Sequence, residues 1–429
     1  MDIKKYGYQE CVDYCGFDNL PEGLEHFYGL YQPEHQEYFI KRDFLENVFL
    51  RFDLPADCRE LILSGIEAVE RDPVLFHFTK FLVWDMCSAR NRCDVDNYRN
   101  MTPVCMTRQK DLYSFLLLLA CVVPSMRLLE ERGVPLEYYQ DIPYRPMKPQ
   151  LEKLQQGETA VSDFPWDMNF YTCSIFLLDR FFFIPCRFGD EFTMYRNKVS
   201  KRVLALRHGG AEFRRDGQEN GINDVYDGDG SFISVWSETG EAITANPINP
   251  MGFVEKDTVT LSRQEWEVAL AQGDTLLALH IPSGPGYTPE RLKYSMGLAL
   301  EFYDTYFPEM GIKGFWSESW LYDSRLSLIL DNETSNIIKV QRQFYLYPIQ
   351  EGDGMLRYEA FGDWKADPEK TELRTSLQKA AAAYMRTGAR FNTLSMVVLR
   401  EEADRTDQMP YITAEDIRRF REVVDSHLR

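Results

Sequence analysis

The chain has 429 residues, which at roughly 150 per domain points to two or three domains. Hydrophobic residues make up 44% and aromatics 14%, a composition that excludes disorder from low hydrophobicity. Lysine and arginine number 48 against 67 aspartates and glutamates, a net charge of −19. That balance disfavours broad binding to nucleic-acid backbones or anionic membranes, which need a clustered positive field. A small anion held by a few backbone amides stays open.

The first residues, Met1 to Tyr6, lack the apolar stretch of a secretory leader. The longest apolar run, 112–123, is shorter than the ~18–20 residues expected of a membrane helix. Nine cysteines, with spacings such as Cys11-x3-Cys15 and Cys87-x5-Cys93, form no CxxC pair and no Cys/His group at zinc spacing. They read as reduced, mostly buried thiols of a cytoplasmic protein.

Residues 1–165 read as a helical domain. Leu112, Phe115, Leu116, Leu119, Val123 and Met126 recur at three- and four-residue spacing within 111–131, with Gly133 as a left-handed stop. Further helices are predicted over 37–52, 56–70 and 74–86, and Pro55 and Pro73 open two of them. Five prolines and Gly157 between 135 and 165 suggest a linker or domain-crossing loop.

Residues 166–429 read as a second, mixed-sheet domain, with 351–429 its C-terminal part. Runs 171–178 and 181–188 suggest a hairpin turning at Asp179-Arg180, and 203–207, 232–236 and 242–245 continue the strand texture. Ser262-Arg263-Gln264-Glu265 matches a capping box and predicts a short helix to about 271. Beyond it the pattern alternates. Strands are predicted over 276–281, 314–320, 340–348 and 394–399, and helices over 288–307, 323–330, 371–386 and 413–426. A helical domain followed by alternating strands and helices gives an α+β or mixed α/β class.

The most informative stretch is 276–307, in which a strand runs through His280-Ile281-Pro282-Ser283-Gly284-Pro285-Gly286-Tyr287 into a helix N-terminus. Such a loop aims backbone N–H groups at one point, where the helix dipole adds about half a positive charge, and glycines let a phosphate approach. An ordinary strand-to-helix loop is the alternative on spacing alone.

The arrangement resembles the acyl-CoA loop of the GNAT acyltransferases, Gln/Arg-x-x-Gly-x-Gly/Ala. Gly284-x-Gly286 fits the second half; Ile281 stands at the Gln/Arg position, and Pro285 has no N–H at the middle one. Leu279-His280-Ile281-Pro282, Ser317-Glu318-Ser319-Trp320-Leu321-Tyr322-Asp323, Ser335-Asn336-Ile337 and Thr375-Ser376-Leu377-Gln378-Lys379 resemble a bacterial two-domain family. That family joins a helical N-acyltransferase-type N-terminal domain to a GNAT-like C-terminal domain. Leu178-Asp179-Arg180-Phe181 also resembles the opening hairpin of its second domain. The predicted helix at 262–271 would depart from the antiparallel meander usual in GNAT enzymes.

The resemblance implies acyl transfer from acetyl-CoA or another acyl-CoA to an amine, with Ile281, Ser283, Gly284, Gly286, Tyr287 and Arg291 around the co-substrate. Glu318 and His280 are the candidate bases, because an alkylammonium must lose a proton before attack. Tyr322 is the candidate acid for the leaving thiolate. Strand alternation puts Glu318 and Trp320 on one face and Ser317 and Ser319 on the other. For His280, ordering the loop is the competing role; for Glu318 it is a buried ion pair.

Other patterns fail. Asp227-Gly228-Asp229-Gly230 would put Val225 and Trp236 at calcium-ligand positions, so it reads as a hairpin turn. Histidines at 26, 35, 77, 208, 280 and 427 offer no metal pair at helical spacing, and no metal is expected. The expected protein is a cytoplasmic acyl-CoA-dependent N-acyltransferase acting on a small-molecule or peptide amine, without nucleic-acid or membrane partners. The alternative, favoured by Ile281 and Pro285, is a non-catalytic ligand-binding or regulatory protein that retains the fold.

Overall fold

The structure, a computed structural model, describes residues 6–32, 39–88, 98–107 and 109–427. His35 and Cys93 lie outside the described residues. The chain divides into two compact units, Met1–Leu177 with Ile184–Cys186, and Leu178–Phe183 with Arg187–Arg429.

The first unit is helical: α1 (Tyr8–Cys15), α2 (Leu24–Leu30), α3 (Arg42–Arg51), α4 (Ala56–Arg71), α5 (Pro73–Cys87), α6 (Tyr113–Glu131), α7 (Tyr144–Gln155) and α8 (Phe164–Tyr171). Pro73 occupies the first turn of α5, and the Asp72 carboxylate accepts from the N–H groups of Val74 (3.1 Å) and Leu75 (3.0 Å). Leu116, Leu117, Leu118 and Leu119 are all buried, so α6 is apolar all round and forms the centre of the unit, against α4, α5 and α8. With its 3₁₀ first turn it spans Lys110–Glu131, 22 residues, which by length and composition is enough to cross a membrane. The expectation of too short a run is corrected by counting the polar-flanked turns on either side. Gly133 ends the segment at φ 78°, as predicted.

The proline-rich stretch 135–165 is not a linker. It holds the 3₁₀ turn Leu136–Tyr138, then α7 and the start of α8. Pro146 falls in the first turn of α7, where its missing N–H costs nothing, and only Pro149 interrupts the ladder. The run 171–178 is likewise shorter as a strand than predicted, because α8 extends to Tyr171 and β1 covers only Phe176–Leu178.

The hairpin continues in β2 (Phe181–Arg187), whose residues are divided between the units. The second unit then carries β3 (Phe192–Asn197), β4 (Val203–Arg207), β5 (Glu212–Phe213), β6 (Phe232–Ile233), β7 (Trp236–Glu238), β8 (Ala242–Asn249), β9 (Phe253–Val254), β10 (Val259–Ser262), β11 (Trp266–Leu270) and β12 (Thr275–His280). After these come α9 (Pro289–Tyr306), β13 (Gly314–Ser319), α10 (Asn336–Gln341), β14 (Tyr345–Pro348), α11 (Gly354–Phe361), α12 (Ser376–Arg386), β15 (Leu394–Leu399) and α13 (Ala414–His427).

One sheet runs β1-β2-β12-β13-β15-β14, and a second runs β10-β8-β4-β3-β11 with β7 and β9 also on β8. The predicted helix at 262–271 is instead a turn between β10 and β11. Glu265 N–H donates to Ser262 O (3.1 Å) and Gln264 N–H to Ser262 Oγ (3.3 Å). The capping-box letters close a tight turn here, because β11 pairs antiparallel with β3 from Trp266↔Asn197 onward. The expected topological departure therefore disappears.

Residues 340 and 341, predicted to open a strand, instead close α10, which follows the turn made where the Asp331 carboxylate accepts from Thr334 N–H (2.7 Å). Thr375 caps α12 in a reciprocal box with Gln378. Asp227-Gly228-Asp229-Gly230 lies in the loop between the paired strands β5 and β6, where the Asp227 carboxylate accepts from Arg215 N–H (2.7 Å).

Candidate functional site

Strand β12 delivers the chain into loop 281–288, and α9 starts beyond it. Pro289 fills the first helical position and Thr288 Oγ1 accepts from Arg291 N–H at 3.3 Å. Gly284 (φ 115°) and Gly286 (φ 94°) hold conformations that side-chain-bearing residues rarely adopt. No atom would meet a Cβ on Gly284 within 4 Å. Backbone shape, not space, therefore requires the glycine there.

The loop's polar groups divide by type. Arg180 donates to the carbonyls of Pro282 (2.6 Å), Gly284 (3.0 Å) and Pro285 (2.8 Å), and Thr288 N–H donates to Gly286 O (3.1 Å). Among the described residues, the N–H groups of Ser283, Gly284, Gly286 and Tyr287 have no hydrogen-bond partner. Residues 283–286 are exposed, so the amides of Ser283, Gly284 and Gly286 lie on the exposed part of the loop beside a helix N-terminus. Ile281 is half-buried and contributes no donor. Arg291, one turn into α9, is paired with Asp179, whose other oxygen accepts from Ser295 Oγ (3.0 Å).

Strands β12 and β13 are parallel, but their register covers only Leu277↔Phe315 and Ala278↔Trp316. Beyond it β12 continues to His280 and β13 to Ser319 without paired positions. Across the rest of the sheet, Glu318 aligns with Ser395 and Tyr347, while Trp316 aligns with Val397 and Tyr345. Aligned residues share a face, so Trp316, Glu318, Tyr345, Tyr347 and Ser395 lie together, and the β12 alternation adds Ala278 and His280. Glu318 is exposed at the end of this row. Deeper in it, Trp316 Nε1 donates to the Tyr347 hydroxyl (2.7 Å), which donates to Asp190 Oδ2 (2.5 Å). Burial raises the Asp190 carboxyl above the ordinary aspartate range.

The opposite face carries Ser317. The fully buried Tyr322 donates to Ser317 Oγ (3.0 Å), and burial holds its phenol well above the usual tyrosine range. Tyr287, directly after Gly286, has a buried hydroxyl turned toward Tyr322 and a ring in edge contact with Phe181 (6.2 Å). Glu318 and Tyr322 therefore approach the strand ends from opposite faces. The sequence reading names Glu318, Tyr322, His280 and the loop as candidates. It did not single out Arg180, Asp190, Trp316 or Tyr347 as site residues. The Trp316/Glu318 alternation was the available signal for one of them; the placement of Asp190 depends on packing between sheets.

His280 ends β12, and burial pulls its imidazole down to about 4. It is neutral at pH 7, which suits ordering the loop better than binding protons. Its folded value lies below the unfolded one of about 6.5, so the stability it contributes is complete above about 6.5 and is lost as pH falls toward 4. His280→Gln should therefore lose less stability than the parent between pH 7 and 4.5, by on the order of 2 kcal/mol. Urea titrations at the two pH values check this, and parallel losses in both proteins would discard it.

Among the described residues no group of histidine, cysteine, aspartate and glutamate side chains could hold a metal ion. Residues 43–173 match the N-acyltransferase N-terminal domain, and residues 191–397 match the GNAT-like C-terminal domain. A crystal structure of an acyltransferase mutant in complex with octanoyl-CoA is similar over 92% of this chain and 99% of its own, at 17% identity and a TM-score of 0.52. An acyltransferase in complex with decanoyl-CoA and teicoplanin is similar over 93% and 99%, at 17% identity and a TM-score of 0.51. At such identities the likeness is one of fold. No curated protein matches the chain.

Proposed function

We infer the reaction from the family: the chain belongs to the two-domain acyltransferases that join an N-acyltransferase N-terminal domain to a GNAT-like C-terminal domain, and it moves an acyl group from acyl-CoA to an amine. The observation that carries the reading is the loop 283–287, with its carbonyls engaged and its amides open beside the N-terminus of α9. That is the polarity a diphosphate requires. The acceptor is a small-molecule amine and the acyl chain of medium length, in keeping with the octanoyl-CoA, decanoyl-CoA and teicoplanin complexes of the similar structures. A cytoplasmic location belongs to the same proposal, since buried free thiols such as Cys11, Cys58 and Cys121 suit a reducing compartment.

The thioester would lie where β12 and β13 separate, reachable from both faces of the sheet. On one face Glu318, exposed, takes a proton from the acceptor ammonium directly or through one water. The freed amine attacks the thioester carbon, and a backbone N–H at the end of β12 meets the oxyanion. As the C–N bond forms and the C–S bond breaks, the thiolate takes a proton from Tyr322 on the other face, and the second proton that the attacking nitrogen sheds in becoming an amide returns through water to the tyrosinate. A thiol of pKa near ~8.5 needs only a weak acid, and a tyrosine kept protonated by burial supplies one.

The test is calorimetry and melting with CoA, followed by thiol release from octanoyl-CoA with an amine panel. CoA at a hundredfold excess over its Kd should add about 2.7 kcal/mol to native stability. Gly286→Val should remove that gain, because valine does not adopt φ 94°. No heat, no melting shift and no thiol release from the parent protein would reject the reading.

A further inference from the structure

The positive charge nearest loop 281–287 comes from outside it. Arg180, at the turn of the β1–β2 hairpin, uses one edge of its guanidinium to hold three loop carbonyls, with Nε on Pro285 and one terminal nitrogen on Pro282 and Gly284. Carbonyl oxygens carry no formal charge, so these bonds fix the side chain without neutralising it. Arg291 differs, since Asp179 pairs with it. Among the described residues Arg180 has no carboxylate partner, and its second terminal nitrogen has no hydrogen-bond acceptor. The hairpin turn is itself anchored, with Arg180 N–H donating to Ser295 Oγ (3.3 Å) on α9. An unneutralised cation is thus held against the open amides of the loop, in a chain of net charge −19.

We propose that Arg180 is a positioning and binding residue for the diphosphate of the co-substrate, shaping the loop with one guanidinium edge and meeting a phosphate oxygen with the other. This rests on the acyl-CoA reading above. By engaging the carbonyls of 282, 284 and 285, Arg180 turns the intervening amides the other way, toward the ligand. It also supplies the side-chain donor that Ile281 lacks. The planar fork matters: a lysine would keep the charge but could not bridge three carbonyls and reach a phosphate together.

The experiment compares two donors on the full chain, octanoyl-CoA and octanoyl-pantetheine, which share the thioester arm and differ in the 3′-phosphoadenosine diphosphate. In Arg180→Gln, KM for octanoyl-CoA should rise by about 10- to 100-fold, as loss of a charge-assisted contact implies. KM for octanoyl-pantetheine should stay within about twofold, and Arg180→Lys should fall between, with melting followed on the same preparations. An equal rise for both donors would reduce Arg180 to a structural brace and overturn the proposal, as would no change for either. If the parent uses both donors with the same KM, the loop does not read phosphate; the proposal then falls while acyl transfer stands. If the parent transfers from neither donor, the acyl-CoA reading fails first and takes this proposal with it.

Discussion

Glu318→Gln and Tyr322→Phe should each lower turnover by about 10²–10⁴, the usual cost of removing a general base or acid, with CoA affinity nearly unchanged. The two variants differ in what else they disturb. Glu318 is exposed at a strand end, so its amide isostere should cost less stability than a change at a fully buried position. Tyr322 is fully buried and its hydroxyl donates to Ser317, so phenylalanine leaves Ser317 Oγ without that donor at a cost of about 1–3 kcal/mol. The rate must therefore be referred to the folded fraction, measured by near-UV circular dichroism on the same sample. Because the two side chains stand on opposite faces of β13, they should act independently on the two proton transfers. Base loss should be relieved by raising pH toward the pKa of the acceptor amine, and acid loss should not. Unchanged kcat in Glu318→Gln would remove it from the mechanism, leaving the exposed carboxylate as surface charge.

Much of this arrangement is legible in the sequence because it depends on neighbours along the chain. Gly284 and Gly286 must be glycine for the backbone to turn, and Thr288-Pro289 announces the helix that follows. Asp179, at φ 61°, marks the hairpin turn in the same local way. What the sequence hides is decided by distant partners. The letters Ser-Arg-Gln-Glu at 262–265 satisfy a helix start, yet pairing of Trp266–Leu270 with β3 overrides them. The proline run 135–165 looks like a break, yet its prolines sit mostly where a helix tolerates them. The Arg180 contacts span more than 100 positions in sequence, and so does the Tyr347–Asp190 bond. No periodicity encodes a bond of that kind; it follows from which strands the sheets place side by side.

Arg325→Met should destabilise the second unit by about 3–5 kcal/mol, the range for breaking a buried charge pair from one side. Arg325 is buried between two carboxylates, donating from one terminal nitrogen to Asp216 (2.9 Å) and from the other to Asp323 (3.4 Å). Burial raises the Asp323 carboxyl above the ordinary aspartate range even though Arg325 opposes that rise. Removing the cation leaves two buried acids, which must either stay charged in a low dielectric or take up protons. Asp216 keeps a second cation in Arg214 (3.2 Å), whereas among the described residues Asp323 keeps the N–H groups of Arg325 (2.9 Å) and Asn392 (2.7 Å) and no cation. The larger strain therefore falls on Asp323, and Arg325→Met with Asp323→Asn should recover part of the loss. At about 2–4 °C per kcal/mol, the single variant should melt roughly 6–20 °C lower. Asp323 directly follows Tyr322 and fixes the turn after β13, so the same variant should lose more activity than its folded fraction explains. The double variant should regain activity and stability together. If melting falls but kcat per folded molecule does not, the network holds the fold without placing Tyr322, and the proton donor must be positioned by its other contacts, Ser317 and Phe344 among them.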